Sequence, residues 1–227
     1  MFKNFFSYLK NPIATENVES FTIKIYFKLI LLSYFLMFVS SVFLMILKSY
    51  NLLPNYYKPE INSLSIFWIA VILAPLFEEI LCRLILKISK LNIALFLAIL
   101  IAVITKILFF KGIILYVYLS AIPLFGLIYF AISQFHFPLE VIDQFIKSKF
   151  RIIFHFSAIA FGMLHLSNYE TIYWWMIVFI PFLTAPYIAL GYVFGYVRMK
   201  YGFLYGLAMH STINFIFAFM VMPKHWF

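Results

Sequence analysis

The most informative stretch of this sequence reads Ile66-Phe-Trp-Ile-Ala-Val-Ile-Leu-Ala-Pro-Leu-Phe-Glu78-Glu79-Ile-Leu-Cys-Arg83-Leu-Ile-Leu86. A helix of about 20 apolar residues crosses the hydrocarbon core of a bilayer, so this run predicts a membrane span. A carboxylate at the centre of a span costs roughly 2.5–3.5 kcal/mol on insertion scales. Because ionisable groups inside membranes usually mark functional sites, we expect Glu78 and Glu79 to serve a function.

The composition of the whole chain is that of a membrane protein. Apolar residues make up 66% of the 227 positions, charged residues only 11%, and the mean hydropathy is +1.03. Soluble domains are closer to half apolar and a quarter charged. We therefore predict an all-α fold, a polytopic transmembrane helical bundle of about seven spans around an intramembrane polar cavity. The predicted spans cover residues 25–47, 64–86, 91–110, 112–132, 151–166, 172–197 and 202–222.

The chain shows no polar stretch long enough for a second domain. Residues 1–24 are predicted to be a cytoplasmic N-terminal segment, and residues 25–222 a single transmembrane bundle. Residues 133–150 alternate apolar and polar positions at helical spacing, which predicts an amphipathic segment at the membrane interface. Pro181 and Pro186 predict a kink or a break in the sixth span.

Basic residues are unevenly divided between the two ends of the predicted spans. With seven spans, twelve lie on the N-terminal side and five on the other. Positively charged loops stay in the cytoplasm, so we expect the N-terminus there. The Phe-, Ile- and Lys-rich composition favours a bacterial plasma membrane. We expect these basic residues to interact with phospholipid headgroups, and no nucleic acid is expected as a partner. The N-terminal side holds Lys3, Lys10, Lys24, Lys28, Arg83, Lys87, Lys90, Lys147, Lys149, Arg151, Arg198 and Lys200, and the other side Lys48, Lys58, Lys106, Lys111 and Lys224.

Few titratable side chains lie inside the predicted spans. Glu78 and Glu79 are the acidic ones, and three of the five histidines join them. Residues four apart share a helix face, which pairs Glu79 with Arg83 and His210 with Asn214. Glu78 is turned about 100° from Glu79, so the two carboxylates face different surroundings. Spacing alone leaves open which of them is a base. The histidines are His155, His165 and His210.

This set of side chains is suited to the activation of water. A carboxylate and an imidazole can together orient and deprotonate a water molecule. A second imidazole and a carboxamide can donate hydrogen bonds to the oxyanion that forms when the water attacks a carbonyl. A Ser-His-Asp triad is not indicated, because no aspartate lies in a predicted span. Cys82, the only cysteine, has no histidine near it in sequence, so it is not favoured as a nucleophile.

Three motifs, in this order, resemble those of one family of membrane proteases. They are Glu78-Glu79-x-x-x-Arg83, Phe161-x-x-x-His165 and His210-x-x-x-Asn214. With them the chain resembles the CPBP family (CAAX protease and bacteriocin-processing), also called the abortive-infection or type II CAAX prenyl endopeptidase family. The stretch from Gly191 to Leu204 is similar to the family's glycine-rich helix before its final histidine helix. The resemblance covers residues 75–215 and assigns a family-like core to 64–222.

The resemblance implies an intramembrane endopeptidase and gives roles to its residues. Glu78 and His165 would activate water, and His210 and Asn214 would support the oxyanion. The family is described both as a metalloprotease and as a metal-free glutamate protease, and both versions remain open here. In the metal version Glu78, His165 and His210 would bind a divalent ion such as zinc, with water completing the site. The expected structural and electrostatic supports are Glu79 and Arg83.

The resemblance also narrows the expected partners. CAAX processing acts on prenylated substrates, which bacteria generally lack. We therefore expect the substrate to be a hydrophobic peptide or the terminus of a membrane protein, and the lipid bilayer to be the surroundings. The oligomeric state is left open by the sequence.

Two other functions compete with proteolysis. In a proton- or ion-coupled transporter, the two glutamates and the histidines would form a relay. Such transporters often contain repeats with paired broken helices, and the sequence shows no repeat. A non-catalytic immunity or scaffold member of the family would tolerate the loss of motif residues, whereas all three motifs are intact here.

Overall fold

The computed structural model describes residues 1–14, 19–55, 63–109, 114–135 and 137–221. All regular secondary structure within these ranges is helical, which confirms the all-α class. The α-helices are α1 (Phe2–Lys10), α2 (Ile23–Ser49), α3 (Ser63–Trp68), α4 (Ala74–Arg83), α5 (Lys90–Phe109), α6 (Ile114–Gln134), α7 (Leu139–Ser148), α8 (Phe150–Leu164), α9 (Ile180–Tyr201) and α10 (Phe203–Val221). Tighter 3₁₀ segments lie at Leu84–Leu86, His165–Asn168 and Trp174–Phe179, and a wider π-helical turn lies at Ile69–Leu73.

Four helical segments of the described chain are long and apolar enough to cross a membrane. A fifth span results if Ser120–Gln134 and Leu139–Ser148, which are bent by 103°, count as one. Lys90–Thr105 is apolar but shorter. A helical membrane bundle is therefore confirmed, while the larger number of seven spans stays a prediction. The four segments are Ile23–Ser49, Phe150–Asn168, Trp174–Tyr201 and Phe203–Met220.

The predicted second span is divided into several helical pieces. Residues 64–86 comprise most of α3, the π-helical turn, α4 and the 3₁₀ segment Leu84–Leu86. The predicted turn between the third and fourth spans, at Lys111 and Gly112, lies outside the described residues. Of the basic residues used for orientation, Lys58 and Lys224 also lie outside them.

Helix α9 forms the centre of the bundle and packs against α2, α8 and α10. Two glycines permit the close approach of α8. A Cβ atom added at Gly191 would lie 2.8 Å from the carbonyl oxygen of Ala158, and one at Gly195 would lie 2.9 Å from the ring of Phe154. Small residues at helix contacts are the usual means of close packing in membranes, where lipid tails are as apolar as the protein.

The sixth predicted span is one continuous helical segment, with a break only in helix type, from 3₁₀ to α, where its prolines begin. The 3₁₀ segment Trp174–Phe179 ends, and α9 starts at Ile180 with Pro181 in its first turn. Proline is favoured there because the first N–H groups of a helix have no partner within it. Pro186 lies inside α9, which continues to Tyr201. One proline therefore coincides with the break, and the helix accommodates the other.

The N-terminal segment is folded onto the bundle. Phe5 and Tyr8 of α1 are buried, and their rings pack edge-to-face against Tyr196 of α9. Beyond α1, the backbone N–H of Glu19 donates to the carbonyl of Lys200 at 2.7 Å, and the two side chains form an ion pair. Of the predicted cytoplasmic N-terminal segment 1–24, residues 1–14, which we call the N-terminal strap, and Glu19 therefore lie against α9.

Candidate active site

Helix α4 carries the paired glutamates into the interior of the bundle. Both the Glu79 and the Arg83 side chains have no exposed surface, and Arg83 Nε lies 3.9 Å from Glu79 Oε2. Their spacing of four residues puts them on one face of α4, with the acid before the base. Buried charges of this kind are tolerated only when paired and hydrogen-bonded.

Arg83 holds α4 against α8 and α9. Its Nη1 atom donates to the hydroxyl oxygen of Ser157 at 3.0 Å, and its Nη2 atom donates to the carbonyl of Gly191 at 3.1 Å. The Ser157 hydroxyl in turn donates to the carbonyl of Cys82. The guanidinium also lies over the ring of Phe161, 4.9 Å from its centroid. Three helices therefore converge on one cation.

His210 of α10 lies between the two glutamates. Its Nδ1 atom is 3.2 Å from Glu79 Oε1, and its Nε2 atom is 3.5 Å from Glu78 Oε2. The first distance is that of a hydrogen bond, in which Nδ1–H donates, while the second is an ion-pair distance. The imidazole stacks on the ring of Phe194 at 4.4 Å, and Phe161 meets it edge-on at 5.4 Å. The aromatic rings fix its plane.

The two glutamates occupy different surroundings, as their 100° separation predicts. Glu79 is fully enclosed between Arg83 and His210, whereas the Glu78 side chain is 24% exposed. On the α10 side, a Cβ atom added at Gly206 would lie 3.6 Å from Glu79 Oε2, an ordinary van der Waals distance, so α10 packs directly against this carboxylate. Glu78 is thus the more exposed end of the carboxylate–imidazole–carboxylate series, although its Oε2 atom, which faces His210, is buried.

His165 directly follows the end of α8, and its ring contacts Phe161, which also contacts His210. Its Nδ1 atom is 3.0 Å from the carbonyl of Phe161, and since a carbonyl only accepts, Nδ1 carries the proton. The neutral ring then has its lone pair on Nε2. Tyr187 stacks on this imidazole with centroids 4.0 Å apart and planes 20° apart. The ring of Phe161 contacts both His165 and His210, with centroids 5.0 and 5.4 Å away.

Asn214, the fourth predicted catalytic residue, is turned toward the chain that precedes the glutamates. Its Nδ2 atom donates to the carbonyl of Ala70 at 2.9 Å. Ala70 lies in the π-helical turn Ile69–Leu73, five residues that precede α4 directly. In such a turn the ordinary i→i−4 pairing is interrupted, so its carbonyls need other donors. Asn214 supplies one of them, and a carboxamide has a second N–H to donate.

Arg198 is a member of this network that the sequence pattern did not single out. The charge distribution suggested a loop residue, but Arg198 lies within α9 and is only 9% exposed. Its Nε atom donates to the carbonyl of Arg83 at 3.4 Å. Arg83 and Arg198 are therefore two buried arginines in the surroundings of Glu79.

The sequence intervals between residues of α9 could have identified Arg198 as a member of this network. Tyr187, Gly191, Phe194 and Arg198 follow one another at intervals of four, three and four residues, which is one face of a helix. Each of them contacts a member of the site. Ser157 lies on the face of Phe161 and His165 in the same way, at intervals of four.

The suggested zinc ligands are not arranged as a cluster. Among the described residues, no three His, Cys, Asp or Glu side chains are grouped so that they could hold a metal ion. Both ring nitrogens of His210 are directed at carboxylates, and Nδ1 of His165 is directed at the carbonyl of Phe161. The geometry of Glu78, His165 and His210 therefore does not fit a common ion, and no step below is derived through one.

No family model matches the chain, and no curated protein or solved structure is significantly similar to it. The resemblance to the CPBP family accordingly rests on the three motifs and contributes below to a proposal.

Proposed function

We propose that this protein is an intramembrane endopeptidase of the CPBP type, which hydrolyses a peptide bond near the membrane with water activated by Glu78. The observation that carries the proposal is the series Glu79–His210–Glu78. Its inner end is fixed by Arg83 and its outer end is partly exposed. An ionised carboxylate with an imidazole behind it, at the open end of a buried network, is what a general base requires.

The reaction begins with a water molecule bound to Glu78. The carboxylate takes a proton from the water, and the water oxygen forms a bond to the carbonyl carbon of the peptide. The π electrons of the carbonyl move to its oxygen, which becomes an oxyanion. Glu78 then gives the proton to the amide nitrogen, the C–N bond breaks, and the oxyanion returns to a carbonyl, which leaves an acid and an amine. His210, whose Nε2 atom lies 3.5 Å from Glu78 Oε2, links this carboxyl group to the buried Glu79.

Asn214 and His165 assist the reaction at two different points, the oxyanion and the attacking water. The second N–H of the Asn214 carboxamide is available to the oxyanion while the first holds Ala70. The lone pair on Nε2 of His165 can accept a hydrogen bond from the attacking water, which would orient it toward the carbonyl. Glu79 and Arg83 act as supports, since they fix the plane and the tautomer of His210 without reaching the substrate.

Transport is favoured less by this geometry. A proton relay through Glu78, His210 and Glu79 ends at Arg83, whose guanidinium holds its protons at all physiological pH values. A transporter needs an exit on the far side of the relay. The intact set of motif residues likewise favours an enzyme over a non-catalytic scaffold.

The proposal includes the setting of the reaction. Helices in the ranges 64–86, 91–110 and 112–132 would complete a bundle of about seven spans around a polar cavity at Glu78. The N-terminus would face the cytoplasm of a bacterium. The substrate would be a hydrophobic peptide or the terminus of a membrane protein.

The test is the variant Glu78→Gln, with Glu140→Gln as the matched control. Glu140 is an exposed residue of α7 that is remote from the network, so the control makes the same chemical change elsewhere. The readout is the set of membrane-derived peptides that appear when the protein is expressed. Loss of a general base lowers the rate by about 10²–10⁴-fold, so Glu78→Gln should abolish these peptides while the control leaves them.

Three outcomes separate the alternatives. Peptides unchanged in folded Glu78→Gln protein would refute the protease. Proton flux into liposomes that is lost in Glu78→Gln would support the transporter instead. Cleavage that survives strong chelators would leave the metal-free version, and cleavage lost on chelation and restored by zinc would require a rearranged site.

A further inference from the structure

A cavity lined by none of the candidate active-site residues lies at the end of the bundle where the N-terminal strap ends at Ala14. Its volume is about 280 Å³. Three helical elements contribute to it: α7, the segment after α4, and the last turn of α9. The lining residues used below are Leu86, Lys87, Asp143, Ile146, Lys147 and Met199.

Two basic side chains line the cavity, and one of them forms an ion pair with an acidic residue that an added anion can replace. Lys87 and Lys147 line it together with one acid, Asp143. Lys147 Nζ forms an ion pair with Asp143 Oδ2 at 2.9 Å, and both side chains are more than a third exposed. Ion pairs exposed to this extent contribute only about 0–1 kcal/mol, so an anion of higher charge can displace Asp143 from Lys147.

The amphipathic helix α7 indicates the depth at which the cavity lies. Its buried face includes Ile146, which lines the cavity, while Val141 and Phe145 are 65% and 60% exposed. Glu140, Gln144 and Lys147 lie on the remaining face. A helix with an exposed apolar face and a charged face lies in the membrane interface, with its apolar side chains in the acyl region. The cavity is then at the level of the lipid headgroups.

A second amphipathic helix supports this depth. Helix α1 exposes Phe2 and Phe6 beside the buried face that holds Phe5 and Tyr8. The N-terminal strap reaches the cavity at Ala14, four residues after the end of α1. Helix α7 and the strap that contains α1 thus both contribute residues to the cavity.

We propose that this cavity binds the phosphate group of an anionic phospholipid, with Lys87 and Lys147 as its ligands. Its volume is near the lower end of the roughly 300–1,000 Å³ of ligand pockets, which suits a headgroup and leaves the acyl chains in the bilayer. Basic pockets at this level are a common means of binding anionic lipids. A bound headgroup would join the end of α4 to α7, since Lys87 directly follows Leu86 and Lys147 belongs to α7.

Removal of Asp143 should change lipid binding in the opposite direction to removal of the two lysines. Asp143 competes with the phosphate for Lys147, so its removal should strengthen binding. The same loss of a negative charge at Glu140, on α7 but outside the cavity, should change binding less. A site defined by its lining residues distinguishes these two positions, whereas a general attraction of the helix to anionic lipid does not.

The experiment measures the thermal unfolding of the purified full chain in mild detergent. Short-chain phosphatidylglycerol, phosphatidylcholine or inorganic phosphate is added at constant ionic strength. Phosphatidylglycerol should raise the unfolding temperature of the original protein more than either other addition. The double variant Lys87→Ala/Lys147→Ala should lose most of this shift. The control Lys24→Ala/Lys28→Ala removes the same charge from exposed positions near the start of α2 and should keep it.

Each remaining outcome decides the question. Asp143→Asn should increase the shift, and Glu140→Gln should leave it nearly unchanged. Equal loss of the shift in both lysine double variants would refute a defined site and indicate general electrostatic attraction. Equal stabilisation by inorganic phosphate and phosphatidylglycerol would refute the lipid as the source of the phosphate. Because none of these residues belongs to the Glu78 network, the result is independent of the proposed proteolysis.

Discussion

The Nδ1 atom of His210 lies 3.2 Å from Oε1 of Glu79, although the two residues are 131 positions apart in the chain. The contact joins α10 to α4 and orients the imidazole toward Glu78. It is buried, since Glu79 has no exposed surface and His210 only 2%. A buried carboxylate without its partner lowers the free energy of unfolding, so the contact should be as important for stability as for chemistry.

Glu79→Gln should therefore destabilise the protein strongly. The substitution keeps the shape of the side chain but leaves the Arg83 guanidinium without its nearest carboxylate. Removal of one member of a buried ion pair costs about 3–5 kcal/mol. The measurement is the free energy of unfolding in detergent, by thermal or chemical denaturation.

The exposed ion pair between Glu19 and Lys200 supplies the control. Its atoms are closer, at 2.7 Å, but Glu19 is 54% exposed. Glu19→Gln should cost no more than about 1 kcal/mol, because solvent screens the pair. Equal losses in the two variants would contradict the importance of burial.

The sequence predicts those parts of this fold that depend on local pattern. Apolar runs located the helices, and the spacing of four residues placed Glu79 beside Arg83 on α4. Pro181 coincides with the start of α9. The spacing of side chains on a helix and the thickness of the bilayer determine these features. Both can be judged from residues that are close together in the sequence.

Contacts between distant helices were not available from the same patterns. Arg198 looked like one more positive charge near a span end, yet α9 carries it into the bundle beside Glu79 and Arg83. Helix α1 packs on α9 through contacts of Phe5 and Tyr8 with Tyr196. The spacing of residues within either helix does not show that these rings meet. The pairing of Glu78 with His210 likewise required the crossing of α4 and α10.

Gly191→Ala should destabilise the contact between α8 and α9. The new methyl group would lie 2.8 Å from the carbonyl oxygen of Ala158, a backbone atom that cannot move without its helix. The backbone of Gly191 also accepts a hydrogen bond from Arg83. Overpacking of this kind costs about 1–3 kcal/mol in unfolding experiments.

Gly126→Ala is the matched control for this glycine. An added Cβ atom at Gly126 of α6 meets nothing within 4 Å. Because alanine favours a helix over glycine by about 1 kcal/mol, Gly126→Ala should be neutral or slightly stabilising. A stabilising Gly191→Ala would show that the helices have room to separate.

Tyr187→Leu should lower the proposed activity with little change in stability. The phenol ring stacks on His165 at 4.0 Å and, with the Phe161 carbonyl, fixes the direction of Nε2. Loss of orientation at a reacting group can reduce the rate by about 10²-fold. Tyr187→Phe keeps the ring and should retain most of the activity. A Tyr187→Phe variant as inactive as Tyr187→Leu would assign the role to the hydroxyl instead of the stack.

Asn214→Ala separates the two functions of that carboxamide. One N–H holds the Ala70 carbonyl at 2.9 Å, and the second is free for an oxyanion in the proposed reaction. A part-buried carbonyl left without its donor costs up to about 1–3 kcal/mol, and a lost oxyanion donor lowers kcat by about 10²–10³-fold. Asn92→Ala is the control, since that side chain also donates to a backbone carbonyl, of Lys87, but at an exposed position. Asn214→Ala should lose stability and, in protein shown to be folded, activity, whereas Asn92→Ala should lose little of either, because water can solvate the exposed carbonyl. Full activity in Asn214→Ala would leave Asn214 as a clamp on the π-helical turn alone, and the oxyanion would then need another donor.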